Sequence, residues 1–174
     1  MAKRMTKEAL IKSLDTDKAS NVLWALLNEN PALEDTVYKI AMQVLCDVNS
    51  DGIMNDVYYG LNSIDVDALS ARSGRTRYGY TDPADASWEM FEEELEPFID
   101  EMIKYQKRGM PSVAKEYCIG IIKGLRKYEK ESTSDFSDWV PDAPGEFIES
   151  VYEEWKKGQP SEDDIVEVIE IKDE

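Results

Sequence analysis

Apolar side chains recur every three or four residues along most of this chain, the spacing that places them on one face of an α-helix. Runs of this kind predict seven helices, over residues 6–14, 19–29, 31–47, 53–64, 83–106, 112–130 and 144–157. The longest carries one stripe made of Trp88, Phe91, Leu95, Phe98, Met102 and Tyr105. The pattern therefore predicts an all-α protein.

Proline in the first turn, after a capping Asn or Asp, marks three of these helix starts, at Asn30-Pro31, Asp82-Pro83 and Asp142-Ala143-Pro144. Connections are short after residue 29 and around Gly109, which predicts antiparallel hairpins over residues 19–47 and 83–130. We expect these hairpins to form a compact bundle or a short solenoid-like array. Gly120 and Gly124 leave a bare strip that favours close helix packing.

The predicted domain organisation is one helical domain over residues 1–160 followed by an acidic C-terminal tail over residues 161–174. The tail holds seven acids and one lysine, and its apolar residues partly alternate. A short helix capped by Ser161 and an added strand are the alternatives to a partly ordered tail.

Charge and composition restrict the possible functions. The 174 residues carry a net charge of −17, which repels nucleic acid and anionic membranes and favours a basic protein partner. No apolar run is long enough to span a membrane or to form a secretory signal, so we expect a cytoplasmic protein. The oligomeric state stays open.

The chain contains no histidine and only two cysteines, Cys46 and Cys118. Ser-His-Asp and Cys-His nucleophile activation are therefore excluded within this chain. A zinc site needs about three or four Cys or His ligands, which the chain does not contain. We expect both cysteines to be buried free thiols on helices.

One loop resembles a calcium-binding EF-hand loop. Asp47, Asn49, Asp51 and Asn55 occupy ligand positions 1, 3, 5 and 9, and Ile53 would offer its backbone carbonyl at position 7. Position 12 should be a bidentate carboxylate, but it is Tyr58. The alternative is a plain turn in which Asn49 and Asp51 cap a new helix and Gly52 adopts a positive φ.

A basic, aromatic loop precedes the longest helix and consists of Arg72, Arg75, Arg77, Tyr78 and Tyr80. Arginine interleaved with tyrosine can bind phosphates and stacked bases. Three arginines are few for nucleic acid, and such residues more often pair with carboxylates. We therefore interpret this loop as structural or as a surface that docks a protein partner.

Carboxylate pairs, such as Glu89 with Glu93, occur throughout the predicted helices. Acid–base chemistry requires a pair that lies in a cleft and has two different pKa values. Because nothing marks one pair above the rest, we interpret them as a solvated face. An enzyme is the third interpretation, and it would need a metal held by carboxylates.

Between residues 22 and 156 the chain has a series of landmarks: Leu26–Leu33, the arginine-rich approach to Tyr78–Asp82, the acidic helix through Trp88, Gly109, a helix that ends near Tyr128, and the turn Ser134–Asp138. With these landmarks the chain resembles the α-helical region that accompanies the zinc finger of SWIM-type zinc-finger proteins. The resemblance implies a solenoid-like helical array with an interaction or scaffolding role. The finger itself needs three cysteines and a histidine, so its zinc and DNA roles do not carry over.

The sequence thus predicts a non-enzymatic helical module for protein interaction or scaffolding. We expect a concave or grooved acidic surface near residues 72–80 and beside Pro97. The alternative function is weak calcium binding by the loop over residues 47–55.

Overall fold

The computed structural model describes residues 6–76 and 79–173. These residues form nine α-helices and one two-stranded sheet, so the predicted all-α fold is confirmed. The chain divides into two compact units, Met1–Asp47 and Val48–Glu174, whereas the sequence predicted one domain over residues 1–160. Within the described ranges, no helix combines the length and the apolar surface needed to cross a membrane.

The described part of the first unit contains three α-helices: α1 (Lys7–Lys12), α2 (Thr16–Glu29) and α3 (Glu34–Cys46). A short 3-10 helix, Pro31–Leu33, joins α2 to α3. The side chain of Asp15 accepts a hydrogen bond from the Lys18 amide at 2.9 Å and so caps α2. Cys46 is exposed, which corrects the expectation that both thiols are buried.

The second unit contains all remaining elements. They are α4 (Ser50–Asn62), α5 (Val66–Arg72), β1 (Gly74–Thr76), β2 (Gly79–Thr81), α6 (Pro83–Lys107), α7 (Pro111–Glu131), a 3-10 helix (Asp135–Trp139), α8 (Ala143–Lys156) and α9 (Glu162–Asp173). The apolar spacing did not predict α5 or the hairpin of β1 and β2. Both are too short to show a periodicity of their own.

Helix α7 lies at the centre of the second unit and packs against α4, α6, α8 and α9. Its Cys118, Ile121 and Leu125 are fully buried. Phe91 and Leu95 of α6 are fully buried too, which agrees with the stripe that the sequence predicts for this helix. Burial of the Cys118 thiol raises its pKa to about 12, so the thiol stays protonated at neutral pH.

Two glycines of α7 allow α4 to approach it closely. A methyl group on Gly120 would lie 2.6 Å from Cβ of Ile53 and 2.8 Å from the carbonyl oxygen of Ser50. A methyl group on Gly124 would lie 2.7 Å from Cβ of Val57. Carbon atoms in contact are normally about 3.5–4.0 Å apart, so neither position has room for a side chain. The predicted role of this glycine pair in close helix packing is confirmed.

The C-terminal segment is the helix α9, one of the three alternatives that the sequence left open, and it packs on α7 and α8. Val168 is fully buried. The ammonium of Lys115 on α7 contacts carboxylate oxygens of Asp164 at 2.7 Å and Glu167 at 2.8 Å. Apolar burial and these ion pairs together hold the acidic segment on the second unit.

The glycine contacts lead to a prediction with a matched control. Gly124→Ala should destabilise the second unit by ~1–3 kcal/mol, because the new methyl group separates α4 from α7. Gly52→Ala should be neutral or stabilising by up to ~1 kcal/mol, because Gly52 is helical with open space around it. Urea unfolding of both variants and of the wild type measures the change in the free energy of unfolding. A Gly124→Ala variant as stable as the wild type would contradict the close approach.

The ion pairs of Lys115 predict how the docking of α9 depends on pH. Hydrogen bonds from Lys115 and Ser161 lower the pKa of Asp164 below its ordinary value of 3.8. Its contribution to stability is therefore present above pH 3.8 and is lost as the pH falls through the lowered pKa. The pKa of Lys115 rises to about 12, so its contribution is lost only in strong base.

Hydrogen exchange of the α9 amides measures this dependence. At neutral pH, the α9 amides should exchange faster in the Lys115→Met variant than in the wild type. The difference should shrink as the solution is acidified below pH 3.8 and through the lowered pKa of Asp164, where this carboxylate loses its charge. Equal protection of α9 in both proteins at neutral pH would contradict the anchoring role of Lys115.

Candidate functional site

A groove of about 470 Å³ runs along one side of the second unit, between α6 and α8. Four glutamates of α6 and one of α8 line it: Glu89, Glu92, Glu93, Glu96 and Glu154. The four on α6 follow one another at spacings of three, one and three residues, so they form a strip along the helix. We call this surface the acidic groove.

Three of the five carboxylates form no ion pair with a cation in the part of the chain that the structure describes. Glu93 pairs with Arg72, with 2.6 Å between the guanidinium nitrogen and the carboxylate oxygen. Glu154 pairs with Lys157, its neighbour one turn along the chain. The side chains of Glu89, Glu92 and Glu96 form no ion pair or hydrogen bond with any residue in the described ranges. The groove therefore carries uncompensated negative charge.

The floor of the acidic groove is apolar. Ile99 of α6 and Phe147 and Val151 of α8 form it. Phe147 stacks on Trp88 with 5.8 Å between the ring centroids, and its ring lies 5.3 Å from that of Phe91. The floor is thus continuous with the aromatic core that joins α6 to α8, so its shape is fixed by packing.

Pro97 follows the last glutamate of the strip and lies inside α6. Proline has no amide hydrogen, so the carbonyl of Glu93 lacks its usual donor in the helix. The free carbonyl of Glu93 is therefore a further hydrogen-bond acceptor beside the carboxylates of the glutamate strip. The helix face beside Pro97, which we predicted from the sequence to present an acidic, grooved surface, borders the acidic groove because Glu96 lines it.

The basic, aromatic loop lies next to the same helix. Arg72 ends α5 and makes the ion pair with Glu93, and both side chains are about half exposed. Arg75 on β1 pairs in register with Tyr80 on β2, whose side chain is 69% exposed. Arg77 and Tyr78 lie outside the described residues. Among the predicted partner-binding residues that the structure describes, Arg72 contacts the acidic groove through Glu93.

The residues of the predicted calcium loop have other partners in this structure. Asn49 accepts a hydrogen bond from the Asp51 amide at 2.9 Å and caps α4. The Asp51 carboxylate contacts the ammonium of Lys123 at 3.2 Å, and the Asn55 side-chain oxygen accepts from Lys127 at 3.1 Å. These two side-chain oxygens therefore already have lysine partners.

The backbone of this loop follows the alternative interpretation, with one correction. Ser50, Asp51 and Gly52 form the first turn of α4, so Gly52 is helical and does not adopt the positive φ expected for it. Ile53 lies inside α4 with its side chain buried, and its carbonyl belongs to the helical hydrogen-bond pattern. Asp47 follows α3 at the end of the first unit.

From the sequence we expected a grooved acidic surface near residues 72–80 and beside Pro97, but we interpreted Glu89 and Glu93 as part of a solvated face and did not assign them to that groove. The spacing of the four glutamates on α6 is visible in the sequence and shows that they share one side of the helix. The sequence does not show that α8 contributes Phe147 and Val151 beneath them. Only the packing of α8 beside α6 converts a charged face into a groove with an apolar floor.

No group of three or more Asp, Glu or Cys side chains in the described ranges has the arrangement of a metal site.

Calcium binding by Asp47, Asn49, Asp51, Ile53 and Asn55 stays a prediction. If it holds, calcium added to chelator-treated protein should produce a heat of binding that Asp51→Ala abolishes and that Lys123→Met strengthens, because Lys123 competes for Asp51. No heat up to millimolar calcium would contradict it.

Comparison with known proteins gives no further constraint. Protein-family models, curated proteins and solved structures all yield no match to this chain. The resemblance to the helical region of SWIM-type zinc-finger proteins therefore stays a prediction. The candidate site is the groove that residues of α6 and α8 line, with glutamates at its rim and apolar side chains at its floor.

Proposed function

We propose that this protein is a non-enzymatic helical interaction module whose acidic groove binds a basic segment of a partner protein. The observation that supports it most directly is the strip of Glu89, Glu92 and Glu96, three carboxylates that lie above an apolar floor and have no cation partner among the described residues. Outside the groove, nine described carboxylates pair with lysine or arginine and most do not, so the strip is distinguished by lying above an apolar floor and not by the lack of a partner alone.

The chemistry of the acidic groove fits lysine and arginine side chains in particular. Their long aliphatic stems can pack on Ile99, Phe147 and Val151 while their charged ends reach the glutamates. Phe147 lines the groove, so a cation that enters would also approach an aromatic ring. A nucleic acid would bring phosphates towards carboxylates, so the same groove disfavours it.

Arg72 illustrates the interaction that the partner would make. Its guanidinium already lies on Glu93 with an oxygen–nitrogen distance of 2.6 Å. A basic side chain of the partner would repeat this contact at the three free glutamates. The partner would thus add ion pairs of the kind that Arg72 already makes with Glu93.

Binding of a fluorescent lysine- and arginine-rich peptide tests the proposal. Glu92→Gln/Glu96→Gln should weaken binding by roughly tenfold, since each carboxylate contributes about 0.7 kcal/mol at a partly exposed site. The affinity of the wild type should fall as salt is added, because exposed charges are screened.

The control must separate the acidic groove from the overall negative charge of the protein. Glu162→Gln/Glu170→Gln removes the same charge from exposed positions on α9 that make no ion pair. This control should bind the peptide with nearly wild-type affinity. If the two double variants lose affinity equally, the peptide responds to net charge and the proposed function is wrong.

A further inference from the structure

A second groove of the second unit, of about 340 Å³, is lined by residues of α4, α7 and α9. Met54 of α4, Ile171 of α9 and the acid Glu131 of α7 belong to its lining. The rest of the lining consists of four cations of α7, namely Lys123, Arg126, Lys127 and Lys130. Because the whole chain carries a net charge of −17, this concentration of positive charge is a local exception, and we call it the basic groove.

The four cations form a row along α7. They follow one another at spacings of three, one and three residues, so they occupy successive turns on one side of the helix. Lys123 and Lys130, at the ends of the row, are seven residues apart, which corresponds to about 10 Å along the helix axis. One phosphate or carboxylate group is too small to contact the whole row. Two or three linked anionic groups can contact it.

Two lysines of the basic groove have weak partners within the chain. The ammonium of Lys123 lies 3.2 Å from a carboxylate oxygen of Asp51, whose side chain is 66% exposed. Lys127 donates to the neutral amide oxygen of Asn55 at 3.1 Å and lies 4.5 Å from the centroid of the Tyr58 ring. Among the described residues, no carboxylate pairs with Lys127. Exposed pairs of this kind contribute little, so a ligand can bind both ammonium groups without breaking a strong ion pair.

Arg126 has a more fixed position than the lysines. Its guanidinium donates to the backbone carbonyl of Lys172 on α9 at 2.7 Å and contacts Glu129 at 3.0 Å. The first of these contacts joins α7 to α9 beside the groove. The basic groove therefore combines one guanidinium held in place with ammonium groups on flexible stems that can move towards a ligand.

The surroundings of the basic groove restrict the ligand to a short one. A long polyanion, such as a nucleic acid or an acidic protein segment, would extend from the groove onto the acidic surface of the chain and be repelled there. Charges on that surface are screened beyond about 8 Å at physiological salt. An anion that fits inside the groove therefore interacts most strongly with the four cations.

We infer that the basic groove binds a small molecule that carries at least two linked phosphate groups. A phosphate monoester has a charge of about −1.5 to −2 near neutral pH, more than the single charge of a carboxylate. Arginine and lysine both form strong, charge-assisted hydrogen bonds with phosphate oxygens. The volume of the groove lies at the lower end of the range of about 300–1,000 Å³ found for small-molecule sites. Met54 and Ile171 offer apolar contacts to the rest of the ligand.

Calorimetric titration of the full chain with inorganic pyrophosphate, in buffer without divalent cations, tests this inference. One pyrophosphate should bind per chain, and inorganic phosphate should bind at least about tenfold more weakly because it reaches fewer cations. Lys123→Gln/Lys127→Gln should weaken pyrophosphate binding by roughly tenfold or more. The control Lys104→Gln/Lys107→Gln removes the same charge from exposed positions on α6 and should keep the wild-type affinity.

Glu131→Gln provides a variant with the opposite expected effect. It removes the acid from the lining of the groove, so it should strengthen pyrophosphate binding by about threefold. No binding up to millimolar pyrophosphate would overturn the inference. An equal loss of affinity in the two lysine double variants would also overturn it, because binding would then follow net charge. Glu92→Gln/Glu96→Gln, which alters the acidic groove, should not weaken pyrophosphate binding, so this inference and the proposed function can fail separately.

Discussion

The close approach of α4 to α7 is the constraint on which the rest of the second unit depends. Gly120 and Gly124 remove two side chains from α7, so Ile53 and Val57 pack directly against its backbone. Because α7 also contacts α6, α8 and α9, its position fixes theirs. The acidic groove lies between α6 and α8, neither of which carries these glycines. Its geometry nevertheless follows from the helix that both of them pack against.

The distribution of charge follows from the same central helix. The lysines of α7 point to neighbouring elements: Lys115 to Asp164 and Glu167 on α9, and Lys123 to Asp51 on α4. Two further cations, Arg72 and Lys172, also form ion pairs between different elements, with Glu93 and Glu149. The other ion pairs of the described residues join side chains three or four positions apart. Of the four glutamates of α6 that line the groove, Glu93 is the one with a cation partner among the described residues.

The sequence predicted those parts of the molecule that periodicity determines. The stripe through Phe91 and Leu95 and the glycine pair of α7 were predicted correctly because a single helix shows the pattern by itself. The C-terminal segment is held in place by the burial of Val168 and by the contact between Lys115 and Asp164, which lie 49 positions apart. Its local sequence shows neither of these and therefore left three alternatives for its structure. The oxygen-rich residues after Asp47 were ambiguous for a similar reason: capping groups and calcium ligands are the same residue types, and Lys123 lies 72 positions from Asp51. The acidic groove needs two helices about fifty residues apart, which no local pattern reveals.

The strip on α6 also has a length scale that restricts its ligand. Glu89 and Glu96 are seven residues apart, which corresponds to about 10 Å along the helix axis, with Glu92 between them at steps of about 4.5 and 6 Å. Alternate residues of an extended chain lie about 6.6–6.8 Å apart and point to the same side. A segment with lysine or arginine at every second position would therefore match the wider step to within about 1 Å, but it would exceed the narrower step by about 2 Å. A helix with cations four residues apart would match the wider step directly, since its spacing is also about 6 Å. Two adjacent cations in an extended chain would point to opposite sides, and only one of them would reach the strip.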